Sequence, residues 1–308
     1  MIEKPMDVLK LFPVRKNKKQ KAAFRDSVQS YAVALGYPVE VEKGSMGAHN
    51  LVIGNPVTAK YLVTAHYDTP AALPFPNLIT PCNFWTFMAY QLFVTAMMLL
   101  FVGAIAFGVS LIAEDNFWIG WSSYMALWLM LILMMVGPAN KSNANDNTSG
   151  VVTVLDTAAK LPEEYRDKVC FVLFDLEEAG LIGSASYAKT HKKQIKNQIV
   201  LNCDCVGDGD ELMMFPAAKV KKDHKVMDAL REICVADDGK SLALREKGFA
   251  YYPSDQKHFP YGIGIAAFHR SKWAGLYCDK IHTKKDTVLD ENNVSFLREQ
   301  MISLISAD

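Results

Sequence analysis

The sequence predicts an α/β fold of three layers, with helices on both faces of a mostly parallel central sheet and a two-helix hairpin inserted into it. Short runs rich in β-branched and aromatic residues alternate with helical segments through the second half of the chain, an order typical of parallel sheets. Acidic residues and histidines follow several of these runs, where open α/β sheets gather their binding groups. At 308 residues the chain is long enough to bury a large core.

The predicted elements follow one another in a regular order. An N-terminal helix is expected over 19–35, because Phe24, Val28, Tyr31 and Leu35 recur at helical spacing and Gly36 follows as a stop signal. The predicted strands are 37–41, 50–53, 61–65, 169–175, 198–204 and 263–268. Further helices are expected over 147–161, 184–193, 223–236 and 291–305.

The middle of the chain has the composition of a membrane segment. No charged residue or histidine occurs over 69–113 or 116–140, and the apolar stretches 84–113 and 117–136 both exceed the roughly 18 residues that indicate a spanning helix. Glu114 and Asp115 separate the two stretches, whose ends carry aromatic residues. We therefore expect residues 79–138 to form an inserted transmembrane hairpin that meets the lipid bilayer through 84–136. The alternative is a helical hairpin buried in a soluble oligomer.

The distribution of charge predicts an orientation. Lys and Arg occur in the N-terminal arm and at Lys141, whereas the hairpin turn carries only acids. The positive-inside rule then places the main domain in the cytoplasm and the turn outside, in a cell-membrane protein with two spanning helices. No cleavable signal is visible at the start of the chain.

Composition excludes some functions and leaves others open. The net charge is zero and the pI is about 7.0, so nucleic acid is not expected as a partner. The one basic run, 15–21, is interpreted as a solvated helix start. The six cysteines lack the dense spacing of a secreted disulfide framework, which indicates reduced thiols. Cys203 and Cys205 are expected to be core residues that point away from the strand face bearing Asp204.

Five short segments carry the residues that suggest chemistry. They are TAHYDTP with His66 and Asp68, NANDNTSG with Asp146, FDLEEAG with Glu177 and Glu178, NCDCVGD with Asp204, and KIHTKKDT with His282. Carboxylate and imidazole ligands without a thiolate suit Zn²⁺, or else Co²⁺ or Mn²⁺. Two histidines and three carboxylates divide into two three-ligand sites if one carboxylate bridges, which leaves room for a shared water and leaves Glu177 as the spare proton acceptor.

Two further acids are expected to hold the histidine rings. Asp68, two residues after His66, lies where it could fix the tautomer of that imidazole and so support catalysis. Asp286, four residues after His282, is expected to do the same for the second ring.

In order and local context these motifs resemble those of the M28 family of co-catalytic zinc aminopeptidases. The stretches that carry the resemblance are VTAHYDT, NANDNTSGVVTVLDTA, FVLFDLEEAGLIGSASYA, IVLNCDCVGDGD, SDQKHFPYGIGIAAF and IHTKKDT. The likeness covers 61–68 and then 143 to the end, and excludes the hairpin. It implies a phosphorylase/hydrolase-like zinc peptidase fold formed by 1–78 and 139–308, and peptide substrates with a free N-terminus.

The resemblance also implies a role for each residue. His66 and Asp204 would hold one zinc ion, Glu178 and His282 the other, and Asp146 would bridge the two. Glu177 would act as the general base on the water between the metals. The peptide bond that follows Asp146 would be cis.

The sequence departs from the family pattern in three respects, one of which is that no secretion signal is visible, although many relatives are exported. The hairpin replaces what is usually a short connection, and Gln256 stands in the SDQKHF stretch where a histidine is common. Two other functions therefore stay open: a glutaminyl-cyclase-like acyltransferase with a single zinc, and a non-catalytic membrane scaffold. Retention of five ligands and Glu177 favours the two-metal aminopeptidase over both. A homo-oligomer is compatible with the sequence.

Overall fold

The computed structural model describes residues 1–73, 75–113, 115–237 and 239–307. Its α-helices are α1 (Asp7–Leu11), α2 (Lys18–Ala34), α3 (Phe84–Ser110), α4 (Asn116–Val136), α5 (Gly150–Lys160), α6 (Ile182–Thr190), α7 (Ala218–Lys222), α8 (His224–Glu232) and α9 (Glu291–Ser306). Its strands are β1 (Val39–Lys43), β2 (His49–Ile53), β3 (Tyr61–His66), β4 (Val169–Phe174), β5 (Ile199–Cys203), β6 (Glu211–Pro216), β7 (Ala236–Asp237), β8 (Lys240–Leu244), β9 (Gly262–Ser271) and β10 (Gly275–Tyr277).

The strands form one mixed sheet that is parallel at its centre. Its order is β1-β2-β4-β3-β5-β9-β6-β8-β7, with β10 paired to β9. The pairs β4/β3, β3/β5 and β5/β9 are parallel, whereas β1, β2 and β6 add to the sheet in antiparallel fashion. The carboxyl ends of the central strands therefore meet at one edge, as expected for a sheet that binds ligands there.

Side chains alternate between two cores on either side of the central strands. Val63 and Phe171 face a large core shared with α2, α5, α8 and α9, whereas Leu62 and Val172 face a smaller core that contains Tyr187 of α6. This period of two follows from the pleat of a strand buried on both faces. The predicted α/β class with three layers is confirmed.

The differences from the predicted elements have local causes. The helix expected over 147–161 starts at Gly150, because residues Ala144–Ser149 form a π-helical turn first. The helix expected over 223–236 ends at Glu232. Strands β6, β7, β8 and β10 were not predicted: β7 and β10 have only two and three residues, and Asp-rich and Gly-rich loops around β6 and β8 mask their pattern.

The interpretation of the basic run as solvated is wrong at two positions. Arg15 is fully buried, and its guanidinium donates to the carbonyl of Phe12 at 2.6 Å and to the Thr148 hydroxyl at 3.1 Å. Lys21 is also buried, and its ammonium lies 2.7 Å from the Asp175 carboxylate. The run is a helix start, but two of its charges point into the domain.

Helices α3 and α4 form the inserted hairpin. Both are long and apolar enough to cross a membrane, and the most apolar window of each is 0% and 11% buried within the protein. The chain leaves and rejoins the main domain at one place, since Ala71 and Ala139 form an antiparallel bridge. Asp115, in the predicted turn, caps α4, whereas Glu114 lies outside the described residues. Lys16 of the N-terminal arm donates to the carbonyl of Met135 near the end of α4.

Candidate metal centre

The predicted site residues come from five places in the chain and meet at the carboxyl edge of the sheet. His66 ends β3, and Asp204 follows β5 directly. Glu177 and Glu178 lie in the turn after β4. The other two residues come from connections: Asp146 from the π-helical turn before α5, and His282 from the loop after β10. All six residues line one cavity.

The two carboxylate oxygens of Asp146 face different histidines. Oδ1 lies 3.4 Å from Nε2 of His66, which is also 3.6 Å from Oδ1 of Asp204. Oδ2 lies 3.1 Å from Nε2 of His282, which is 3.7 Å from Oε2 of Glu178. The cluster therefore divides into two groups of three, with Asp146 in both.

Other groupings of the same atoms are also compact. Ligand atoms lie within 4.8 Å of one another in the sets His66/Glu177/Asp204, His66/Asp146/Glu178 and Asp146/Asp204/Cys205. His282 belongs to none of these sets. We favour the division through Asp146 because each of its two oxygens then faces one imidazole, and each imidazole faces one further carboxylate. The compact sets leave His282 without a role.

The backbone around the site is held by two buried acids, although not in the way the sequence suggested. Asp68 does not hold the His66 ring with its carboxylate: its backbone carbonyl, 3.1 Å from Nδ1, does so, and the carboxylate oxygen is 3.7 Å away. That carboxylate instead accepts from the backbone N–H groups of Glu177 at 3.0 Å and Glu178 at 3.2 Å. It fixes the turn that carries both glutamates.

Asp286 was expected to orient His282, and that expectation is wrong. Its carboxylate accepts from the backbone N–H groups of Asn145 at 2.7 Å and Asp146 at 3.0 Å. Nδ1 of His282 has no hydrogen-bond partner. Asp286 therefore holds the π-helical turn, in which the Asp146–Asn147 peptide bond is cis, as the resemblance implied.

Cys205 lies closer to the site than predicted. Strand β5 ends at Cys203, so the alternation stops there, and Cys205 has a positive φ of 57°. Its thiol lies 3.2 Å from Oδ1 of Asp204 and lines the cavity. Both cysteines are buried in core clusters as expected, but Cys205 does not point away from Asp204. Leu176 and His282 also have positive φ, a conformation that non-glycine residues adopt with strain and that clusters at functional sites.

The electrostatics of the cluster are those of a site that needs positive charge. Burial raises the pKa of Glu177 and of Glu178, and neighbouring carboxylates raise both further. Burial opposes protonation of His66, but Glu177 and the aspartates outweigh it and raise the pKa of this ring well above its usual value. Asp255, which no motif singled out, is fully buried, and burial raises its pKa to about 7. Like charges held close together out of water repel unless a cation compensates them.

The arrangement of the donors fits divalent metal ions. Nδ1 of His66 faces the carbonyl of Asp68 and so carries the proton in the neutral ring, which leaves the lone pair of Nε2 aimed at two carboxylate oxygens. Oδ1 of Asp146 has no hydrogen-bond donor. Ligands of a tetrahedral zinc ion lie roughly 3.3 to 3.6 Å apart, close to the separations observed here. A metal ion between Nε2 of His66 and the facing carboxylate oxygens would separate these lone pairs and give Oδ1 of Asp146 a partner.

Comparison with family models gives the decisive match. Residues 133–303, more than half of the chain, match the model of peptidase family M28. The chain belongs to peptidase family M28. It is therefore a zinc-dependent metallopeptidase, and four of the five predicted ligands lie within the matched range. His66 lies before it, and a search of curated proteins found no significant match.

Solved structures show the same fold at low sequence identity. LapA aminopeptidase of Legionella pneumophila superimposes with a TM-score of 0.55 at 14% identity, over 98% of this chain and 69% of LapA. Tannerella forsythia glutaminyl cyclase gives a TM-score of 0.55 at 16% identity, over 98% of this chain and 95% of the cyclase. The dodecameric PhTET1-12s gives 0.51 at 11% identity, over 98% and 99%. At these identities the likeness establishes the fold.

Proposed function

We propose that this M28 peptidase is a membrane-anchored aminopeptidase with two metal ions at one site. The observation that carries the proposal is the division of Asp146, whose two oxygens face two separate pairs of a histidine and a carboxylate. His66 and Asp204 would hold one zinc ion, and His282 and Glu178 the other. Co²⁺ or Mn²⁺ would suit the same donors.

Glu177 is the proposed general base. When bound, the zinc ions supply Lewis-acid chemistry, since they polarise a carbonyl and lower the pKa of a water. The carboxylate of Glu177 lies in the same cavity, and the carboxylate of Asp68 fixes its backbone. From there Glu177 would accept a proton from the attacking water and donate it to the amine that leaves. Asp68 is thus a positioning residue.

The charge of the cavity favours a free N-terminus over an internal peptide bond. Its lining includes the carboxylates of Asp146, Glu177, Glu178 and Asp204, and among the described residues that line it there is no Lys or Arg. After two divalent ions are bound, the three carboxylates that hold them would be compensated, and the carboxylate of Glu177, which stays outside both ligand sets, is the group that an α-ammonium would contact. Apolar side chains in the same lining, among them Phe87 and Ile281, leave little room for a longer peptide.

Metal analysis combined with kinetics tests the proposal. We expect about two zinc ions per chain and hydrolysis of aminoacyl substrates by the wild type. Glu177→Ala should keep both ions and lose at least about a hundred-fold in kcat, because only the proton acceptor is removed. Equal turnover by the two proteins would exclude Glu177 as the base.

The fold of the glutaminyl cyclase motivates one alternative, a single-zinc acyltransferase. It predicts one ion per chain, with cyclisation of N-terminal glutamine and no release of amino acids. The two-group geometry of Asp146 supports the aminopeptidase instead. Metal stoichiometry and product analysis separate the two functions.

The membrane anchor is the second part of the proposal. Large apolar side chains on both hairpin helices are exposed, among them Leu100, Phe107 and Trp118 at 68%, 66% and 54%. Exposure of this kind over two whole helices is unfavourable in water. Lys16 and Lys141 lie near the base of the hairpin, which supports a cytoplasmic peptidase domain formed by 1–78 and 139–308.

Removal of the hairpin tests the anchor. Residues 80–138 can be replaced by a flexible linker, because both ends stay on the peptidase domain, Ile79 through its bridge to Cys278 and Ala139 through its bridge to Ala71. We expect the wild type to need detergent and to fractionate with membranes, and the shortened protein to be soluble without detergent. A wild-type protein that is soluble and monodisperse, with the hairpin buried between subunits, would contradict the anchor.

A further inference from the structure

The cavity above the acidic cluster has a second wall, made of apolar side chains. The cavity encloses about 240 Å³. Pockets for drug-sized ligands enclose roughly 300 to 1,000 Å³, so this one has room for a single residue rather than for a long peptide. Apart from the acidic cluster and the polar side chains of Asn77, Thr80 and Gln91, its lining includes Leu78, Ile79, Phe87, Tyr90, Tyr251 and Ile281.

Two of these residues belong to the inserted hairpin. Phe87 and Tyr90 lie in the first two turns of α3, at the end that meets the peptidase domain. The two hairpin helices are joined by a short turn, yet α3 has 27 residues and α4 has 21. The extra residues of α3 therefore lie at its domain end.

The length difference lifts these turns out of the bilayer. At about 1.5 Å per residue, α4 is roughly 32 Å long, close to the ~30 Å hydrocarbon thickness of a membrane. The additional residues of α3 extend it by about 9 Å beyond that thickness. The six extra residues are 84–89, so Phe87 lies within this extension and Tyr90 directly follows it, at the boundary between the site and the lipid phase.

The extension is fixed to the peptidase domain by polar and aromatic contacts. The Tyr90 hydroxyl donates to the carbonyl of Pro76 at 2.9 Å. The ring of Phe87 lies 5.1 Å from that of Tyr251 and 5.9 Å from that of Phe249, measured between centroids. These contacts connect α3 to two loops that line the cavity, so the wall keeps its position relative to the carboxylates.

We propose that Phe87 and Tyr90 contact the side chain of the substrate's N-terminal residue, and that the inserted helix thereby selects substrates with a large apolar N-terminal residue. The inference rests on the proposed aminopeptidase function. A large apolar side chain covers the two rings and excludes water from them, whereas alanine leaves them exposed. The hairpin then determines specificity in addition to anchoring the enzyme.

Substrate ratios test the inference. Full-length protein in detergent, loaded with zinc, is assayed on leucine, phenylalanine and alanine p-nitroanilides. We expect kcat/KM for leucine or phenylalanine to exceed that for alanine by about ten-fold or more in the wild type. Phe87→Ala should reduce this ratio at least about five-fold. The matched control is Phe107→Ala, in the same helix but remote from the cavity and 66% exposed, and it should keep the wild-type ratio.

A binding measurement separates failure of this inference from failure of the proposed function. Leucinol and alaninol carry the amine and the side chain but no bond to hydrolyse, and calorimetry measures their affinities. Tighter binding of leucinol that is lost in Phe87→Ala supports the apolar wall, even if the wild type hydrolyses nothing and the proposed function is wrong. Equal hydrolysis of all three substrates together with equal binding of both alcohols would support the aminopeptidase function but contradict the selection of apolar residues by Phe87 and Tyr90. A leucine preference that Phe87→Ala leaves unchanged would contradict that selection as well.

Discussion

The buried ion pair between Lys21 and Asp175 provides a test that does not depend on the enzyme's activity. The two groups are 2.7 Å apart, with side-chain exposures of 7% and 1%. Asp175 directly precedes Leu176 and the glutamate turn. Its carboxylate also accepts from the backbone N–H groups of Leu176 at 2.9 Å and His49 at 3.0 Å. Lys21→Met leaves this carboxylate buried without a cation, with those two backbone donors and the Tyr67 hydroxyl near it.

The expected loss of stability follows from that count of partners. Removal of one member of a buried ion pair destabilises a protein by about 3–5 kcal/mol, because the remaining charge is uncompensated. Two backbone donors still stabilise Asp175, which places the expected loss at the lower end, about 3 kcal/mol. Asp175→Asn in the Lys21→Met background removes the unpaired charge. The double variant should therefore be more stable than the sum of the two single changes implies.

The assay must report on the peptidase domain and not on the hairpin. Four of the five tryptophans, Trp85, Trp118, Trp121 and Trp128, lie in α3 or α4, and Trp273 is 92% exposed, so tryptophan fluorescence is unsuitable. Urea-dependent pulse proteolysis, with cleavage of the domain followed on gels, measures the free energy of unfolding directly. Lys19→Met is the matched control, since Lys19 is exposed on the same helix and should change stability by less than about 0.5 kcal/mol. A Lys21→Met variant as stable as Lys19→Met would refute the reasoning.

Three further predictions concern the metal centre. Asp286→Ala removes the acceptor of the backbone N–H groups of Asn145 and Asp146. We expect zinc affinity, measured by competition titration, to fall by about ten- to a hundred-fold. Unchanged affinity would show that the turn keeps its conformation without Asp286. Chelation should abolish hydrolysis and lower the melting temperature, both restored by added zinc, because the ions bind only the folded chain; a melting temperature that does not move would count against bound metal. Burial raises the pKa of Asp255 to about 7 from 3.8. The folded metal-free protein therefore keeps a proton that the unfolded chain releases, and its free energy of unfolding should fall as pH rises from about 4 through 7. The fall should be smaller in Asp255→Asn. An identical fall in both proteins would show that other groups cause the pH dependence.

The fold was predictable because the central strands are buried on both faces. Runs such as VCFVLF of β4 are continuous, β-branched and aromatic, and each ends at a polar residue, so both type and end are visible in the sequence. The edge strands were less visible. β8 is only partly buried, and its pattern does not differ from that of a surface loop. The start of α5 was misplaced because the π-helical turn over Ala144–Ser149 has no signal in the periodicity of the sequence.

For the site, sequence indicated which residues meet but not which atoms face one another. Adjacency in the chain suggested that Asp68 and Asp286 hold the rings of His66 and His282. The structure shows their carboxylates on backbone N–H groups instead, because both site turns have amides that no helix or strand partner satisfies. The direction of the Cys205 side chain was mispredicted for a related reason, since strand alternation was extended to this residue, two positions past the end of β5.

The burial of Arg15 and Lys21 had no local signal in the sequence. A run of basic residues is usually solvated, and nothing local distinguishes these two from Lys18 and Lys19, which are exposed. Their partners, Thr148 and Asp175, are more than a hundred residues away in the chain. Only the packing of α2 against the sheet brings them together.

The position of the hairpin has a consequence for how the protein is made. Strand β3 precedes the hairpin, but both strands that pair with it, β4 and β5, follow the hairpin in the chain. In the proposed membrane-anchored protein, the apolar helices would reach the membrane during synthesis while β3 still has two unpaired edges, a state that favours association with other chains. Ala71 and Ala139, which form a bridge at the base of the hairpin, would then be held near the bilayer surface while the second half of the domain folds. On this proposal insertion would precede completion of the sheet, and the membrane would be part of the folding pathway.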